Sequence, residues 1–313
     1  MNYTLITCTY NASSFLQAYF KVIDSINYED FEVIIVDDAS TDNTYELLLE
    51  YTRNSGKHIS VFKHQVNKGP GVARNTALQR AIGERILFLD VDDEVDSDIL
   101  KMSENYKGYD ILYFDYNKKY SDDVLHRCSA LPLTEGKITD VEFVLATTLG
   151  CVWGKVFELS LIKRYSIVFP DLYKSEDLVF LLSYLAHCKN AYYLRQPLYN
   201  YRITPNSLVH RNIDNQVDFA FRALDIIRNL PISNDIIDLY YCKEIVYDLS
   251  NVYITLGKDR HFLFDFWNAN PIPNSWRRIK HLIRKEQLLF LTLIRYKCFH
   301  LLNLLVKTKR LYG

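Results

Sequence analysis

The chain reads as an α/β fold on a mostly parallel sheet, followed by a helical extension. Three observations predict this. Short β-branched runs alternate with amphipathic stretches through the first hundred residues; the runs are almost continuously apolar, as strands covered on both faces require; and beyond residue 210 the spacing turns helical throughout. The expected strands are TLITC (4–8), FEVIIVD (31–37), ISVFKH (59–64) and RILFLD (85–90). Between them, stretches near 12–27, 43–54 and 71–82 have helical apolar spacing, each opening near a capping or breaking residue: Asn11, Asp42 and Pro70. Sheets of this kind bind ligands at the carboxyl ends of their strands, so the strand ends come under scrutiny first.

Those ends are polar three times over: CTYN after the first strand, VDDASTDNT after the second and LDVDDE after the fourth. Helix capping explains one polar residue per turn, not paired aspartates after two strands. Residues 88–98, FLDVDDEVDSD, gather Asp90, Asp92, Asp93, Glu94, Asp96 and Asp98 where an apolar strand surfaces. Two carboxylates about 4 Å apart repel by roughly 4 kcal/mol at an effective dielectric near 20, so such a cluster calls for a counter-charge, most simply a cation. Glu94, Asp96 and Asp98 are expected to face solvent or cap a helix starting near 97. Before the fourth strand, NKGPGVARN (67–75) sets two glycines and Arg74 at a helix start, a natural seat for an anion.

Composition fits a globular protein: 313 residues, 49% hydrophobic, 24% charged, net charge −1. That near-neutrality hides an asymmetry, because residues 277–310 hold ten Lys/Arg against Glu286 alone. The six cysteines are scattered without CxxC pairs and the N-terminus lacks a basic, then apolar, leader, so a reducing cytoplasmic setting is expected. The most apolar stretch, 288–306, is interrupted by Arg295, Lys297 and His300 and does not read as a membrane span.

The segments CTYN, VDDASTDNT, NKGPGVARNTAL and GERILFLDVDDE, in this order and spacing, resemble the inverting glycosyltransferases of family 2, with the GT-A (Rossmann-like) fold. The resemblance spans most of residues 1–210. It implies a catalytic, nucleotide-sugar-binding domain over 1–210 and a helical region over 211–313. It also implies that Asp38 accepts a hydrogen bond from the nucleotide base, that Thr9 and Tyr10 line the base pocket, and that Arg74 approaches the diphosphate or base edge. By the same resemblance Asp90 holds the ribose or a metal-bound water, and Asp92 ligates a divalent metal, Mn²⁺ or Mg²⁺. Where the family usually has proline two residues before the tyrosine, this chain has Cys8. The chemistry agrees: a metal bridging a diphosphate takes hard oxygen ligands from a few carboxylates and stabilises the charge growing on the leaving group.

The acceptor side is read in GCVWGKVFELSLIKRYSIVFPDLYKSEDLVFLLSYL (150–185). By itself, Glu176-Asp177 is a pair of acids in the first turn of a helix. The arrangement W-G-K, F-P and S-E-D resembles the family's acceptor motif, which implies that Asp177 is the general base in a single inverting displacement. Trp153 is either a platform for a sugar face or a core residue. Lys155 is either an exposed charge or, as the resemblance favours, a partner of the diphosphate. YNYRITPNSLVH (199–210) resembles the segment that closes over the donor in the family, which implies that Arg202 and Ser207 touch phosphates and that His210 is a further candidate metal ligand.

Farther on, 215–230 and 233–256 have helical apolar spacing, NPIPNSW (270–276) reads as a linker, and 277–313 as a basic amphipathic tail. The tail is either a solvated helical hairpin or a peripheral contact with the inner face of the cell membrane. The expected partners, by the same resemblance, are a nucleotide-sugar donor, UDP-linked by family habit, and a glycan or lipid-linked acceptor in cell-surface polysaccharide synthesis; homo-oligomerisation stays open. No G-x-G-x-x-G follows the first strand, which argues against a nicotinamide oxidoreductase, and no glycine-rich phosphate loop follows it, which argues against a nucleotidyltransferase. The leucine-rich tail does not suggest nucleic acid. A non-catalytic, nucleotide-sugar-binding or scaffold member of the same fold is the remaining alternative.

Overall fold

A computed structural model describes residues 1–120, 124–203, 216–255, 258, 260–283, 285–298 and 301. The chain forms two compact units, Met1–Val209 and His210–Gly313.

In the first unit, β1 (Tyr3–Thr9), α1 (Ser13–Ser25), β2 (Phe31–Asp37), α2 (Thr44–Asn54), β3 (Ile59–Lys63), α3 (Pro70–Leu78) and β4 (Arg85–Phe88) alternate as expected. Next come β5 (Glu94–Val95), α4 (Ile99–Ser103), β6 (Ile111–Lys119), β7 (Leu125–Cys128), β8 (Gly136–Ile138), α5 (Val141–Thr147), β9 (Lys155–Glu158), α6 (Leu159–Arg164), α7 (Glu176–Leu185) and β10 (Ala191–Arg202). One sheet runs β3-β2-β1-β4-β9-β6-β10-β5, with β7 on β6 and β8 on β10. β1 lies at its centre because six of its seven residues are buried, and it pairs in parallel with both β2 (Leu5 opposite Val33) and β4 (Leu5 opposite Leu87). Within the sheet β9 breaks the parallel pattern, inserted antiparallel between β4 and β6 with Ile86 opposite Phe157 and Leu112 opposite Val156, and β5, β7 and β8 also pair antiparallel.

Two turns show how closely the sheet is packed. A Cβ on Gly83 would lie 2.4 Å from the Tyr3 carbonyl carbon and 2.5 Å from the Thr4 nitrogen, so only glycine lets this turn cross the start of β1. Gly71, at the start of α3, leaves room for the Pro170 carbonyl, Phe169 and Glu176, all within 3.1–3.3 Å of where its Cβ would be. Asn75 then locks this contact, donating to the Phe169 carbonyl (2.8 Å) and accepting from the Phe169 N–H (2.9 Å). Phe169 stacks on Phe180 of α7 (4.0 Å between centroids), and both meet Phe88 edge-on.

Of the two expected polar caps, Asn11 crosses to the other loop and Asp42 serves both. Asn11 does not cap α1; its side-chain oxygen accepts from the Thr41 N–H at 2.8 Å, while Asp42 accepts from Thr44 in its own loop and from the Ser13 N–H at the start of α1. The loops after β1 and β2 are thereby tied together.

The second unit contains α8 (Gln216–Arg228), α9 (Asn234–Tyr240), a π-helical segment (Tyr241–Asp248), α10 (Leu249–Thr255), α11 (Arg260–Ala269), α12 (Trp276–Ile279) and α13 (Lys285–Arg295). Ala220, Leu224, Ile245 and Leu249 form its core, and the Trp267 indole N–H donates to Ser250 at 2.7 Å. The stretch 270–276 is not a free linker: Ile272 and Trp276 are buried, Ser275 donates to Asp238, and Arg295 donates to the Ile272 carbonyl. Within the basic tail, Arg278 makes a two-pronged pair with Asp235, and Phe290, Leu291 and Ile294 are buried. Among the described residues no helix is long and apolar enough to cross a membrane.

Candidate active site

The carboxyl ends of β1, β2 and β4, the start of α3 and the start of α7 converge on Arg74. Its guanidinium is buried and donates to Asp177 (2.7 Å) and Asp90 (3.1 Å), with Glu176 at 3.6 Å and the Phe169 ring face 5.5 Å away. The residue after the fourth strand and the first turn of α7 are thus joined through one side chain. Burial works against the Arg74 charge, but Asp177 and Asp90 outweigh it and hold the group firmly protonated.

Asp177 is raised above the ordinary carboxylate range by burial, opposed by Arg74; the Val152 N–H also stabilises its charge. Burial pushes Glu176 up to about 7, with Asp177 adding to the rise and Arg74 opposing it. Both acids follow Ser175, a non-glycine residue held at φ 65°, which turns the chain sharply into α7.

The rim acids divide by task. Asp90 is about one-third exposed, and its backbone N–H donates to the Tyr199 hydroxyl. Asp92 is half-buried; burial first, and then Asp90, raises its carboxyl. Asp93, not singled out from the sequence, is buried and accepts from the Tyr199 hydroxyl (2.7 Å) and the Arg202 N–H (2.8 Å), which pins this loop to β10. Glu94 is not solvated as expected: Lys119 and Arg202 each reach it at 2.8 Å. Asp96 does support the next helix, accepting from the Asp98 N–H. No spacing rule pointed to Asp93, because its partners lie more than a hundred residues away.

Other candidates take different places. Asp38 is buried with both oxygens engaged by His64 Nδ1 (2.6 Å) and the N–H groups of Lys68 and Gly69, so it fastens the loop before α3. Thr9 is buried and donates to Asp37, while Tyr10 is exposed on the rim. Cys8 is half-buried, and Arg74 and Asp90 both act on its thiol. Lys155 is not exposed: it is buried, donating to the Cys151 and Trp153 carbonyls at 2.8 and 3.1 Å, and so braces the turn carrying Trp153. Arg202 is spent on the 92–94 loop, through the Asp92 carbonyl (3.1 Å) and Glu94. Trp153 is half-buried and stacks on Tyr199 and Tyr201. Ser207 and His210 lie outside the described residues.

Among the described residues no group of three or more His, Cys, Asp or Glu side chains could hold a metal by itself. Asp90 and Asp92 nevertheless fit a divalent ion of the Mg²⁺ or Mn²⁺ type, which is commonly held by one or two carboxylates while substrate phosphates fill other positions. Burial, and then the charge of Asp90, raise the Asp92 carboxyl, and a divalent ion would offset the repulsion between the two.

The profile described as Glycosyl transferase family 2 matches residues 4–126. The putative glycosyltransferase EpsH of Bacillus subtilis (strain 168) is 27% identical over 219 residues, 66% of this chain and 62% of that protein, so the chain spans less than two thirds of that relative. The uncharacterized glycosyltransferase EpsJ of the same organism is 30% identical over 315 residues, covering 95% of this chain and 86% of EpsJ. The crystal structure of S. aureus TarS 1-349 in complex with UDP-GlcNAc superposes with a TM-score of 0.75 over 100% of this chain and 93% of TarS at 22% identity, which shows a shared fold of the GT-A kind. With EpsJ matched along nearly its whole length, the chain belongs to glycosyl transferase family 2.

Proposed function

We propose that the chain is a metal-dependent inverting glycosyltransferase that moves a sugar from a nucleoside diphosphate, UDP by preference, to a hydroxyl of a glycan or lipid-linked acceptor. The observation that carries this reading is Arg74, which bridges Asp90 on the donor rim to Asp177 on the acceptor side within 3.1 Å of each. A divalent ion held by Asp90 and Asp92 would supply a Lewis acid to the diphosphate leaving group. Asp177, half-buried and raised, is suited to take the proton of the acceptor hydroxyl as its oxygen attacks the anomeric carbon opposite the leaving group. Arg74 orients that carboxylate, and Phe169 and the Asn75 lock fix Arg74 in turn. The TarS structure contains UDP-GlcNAc, and its likeness supports the choice of UDP.

The test is a panel of nucleotide sugars with Mn²⁺, with and without a chelator. One donor should be hydrolysed or transferred only when metal is present. Turnover unchanged by chelation would remove the metal from the reading, and no turnover of any donor would favour a non-catalytic role.

A further inference from the structure

Beside Asp177 lies a pocket of about 360 Å³ lined by Tyr116, Lys118, Leu149, Gly150, Cys151, Trp153 and Tyr201. Side chains on a strand alternate between faces, so Tyr116 and Lys118 of β6 share one face, and in register with them β10 places Tyr199 and Tyr201. Trp153 lies nearly parallel to both of those tyrosines, 5.1 and 5.0 Å away, and Tyr116 meets it edge-on at 5.0 Å. The 150–153 turn forms one wall. The same turn supplies the Val152 N–H to Asp177 and is braced from beneath by Lys155. The pocket and the proposed base therefore share a wall.

Lys118 is the one charged residue in that lining, and no acid accompanies it. Its chain neighbour Lys119 differs: with Arg202 it is spent on Glu94. Among the described residues Lys118 has no ion pair. An unpaired ammonium beside flat aromatic faces is a place for a ring carrying an anion, since the rings take its apolar face and the ammonium takes its charge.

We infer that this pocket is an acceptor subsite selective for a sugar unit bearing a negatively charged substituent, phosphate or carboxylate, recognised by Lys118. The inference rests on the transferase reading, which supplies the acceptor. Titration calorimetry on the full chain with methyl glucoside, methyl glucuronoside and methyl glucoside 6-phosphate tests it. Both charged probes, or one of them, should bind about tenfold more tightly than the neutral one, and the stronger of the two identifies the substituent. Lys118→Gln should remove that preference, Lys118→Arg should keep it, and raised salt should erode it. Equal binding of all three probes, no binding of any, or a preference that survives in Lys118→Gln overturns the inference. Metal-dependent donor hydrolysis, measured in parallel on the wild type, separates the two readings. No turnover of any donor, with or without metal, sinks the transferase reading, whereas turnover without charge preference sinks the pocket alone.

Discussion

The acids after β4 and the acids opening α7 are both clusters of like charge, yet the fold treats them differently. Around 90–94 the backbone and two neighbouring side chains are tied down by Tyr199 and Arg202, while Asp90 and Asp92 keep access to solvent. At 176–177 the carboxylates are turned inward onto one buried guanidinium. The first cluster, partly wet and only partly paired, through Asp90 on Arg74 and Glu94 on Lys119 and Arg202, suits a cation that arrives with its ligand. The second, half-buried and held on the same arginine, suits a proton.

Asp177→Asn breaks the comparison most directly. Turnover should fall at least about 100-fold, the usual worth of a general base, while nucleotide affinity measured by calorimetry stays within about threefold of wild type. A fully active variant would take Asp177 out of the reaction without disturbing the family. Asn75→Ala attacks the strap between the clusters by removing two hydrogen bonds to Phe169, and should lower unfolding free energy in urea by about 2 kcal/mol. Asp92→Asn should weaken metal-assisted nucleotide binding about tenfold and leave metal-free binding unchanged; equal loss in both would argue that Asp92 holds the loop and not an ion.

A further prediction concerns pH. Because burial raises Glu176 from 4.5 to about 7, the folded chain holds a proton that the unfolded chain has released over that window. The stabilisation is complete below pH 4.5 and is lost as pH rises toward 7, at a slope of no more than about 1.4 kcal/mol per pH unit. Glu176→Gln should flatten this slope in denaturation curves collected across that range. The activity counterpart runs the other way: Asp177 works ionised, so its raised carboxyl places the acid limb of the rate profile above the ordinary aspartate range.

Much of this was legible before the structure. β1 to β4 and α1 to α3 fall where apolar periodicity puts them, because each is a local pattern with its own start signal. The polar strand ends and Arg74 stood out for the same reason. What escaped was long-range. Nothing in KVFE announces a strand running against its neighbours between β4 and β6. A buried lysine such as Lys155 looks like an exposed one until the carbonyls it satisfies are located, and Asp93 acquires its role only from Tyr199 and Arg202 on a strand far along the chain. The cap of Asn11 was misread because it was assigned to its own helix, when the N–H groups it meets belong to the loop after β2; Asp42 does serve its own helix through Thr44 and reaches Ser13 of α1 as well.

The antiparallel position of β9 has a consequence for synthesis. As the polypeptide leaves the ribosome, β1 to β4 can assemble early, but the outer edge of β4 has no partner until Lys155–Glu158 emerges. At about 5–20 residues per second, that apolar border is uncovered for several seconds, during which another nascent chain could pair with it. Translation speed across the intervening stretch therefore bears on the yield of folded protein, independently of the chemistry at the site.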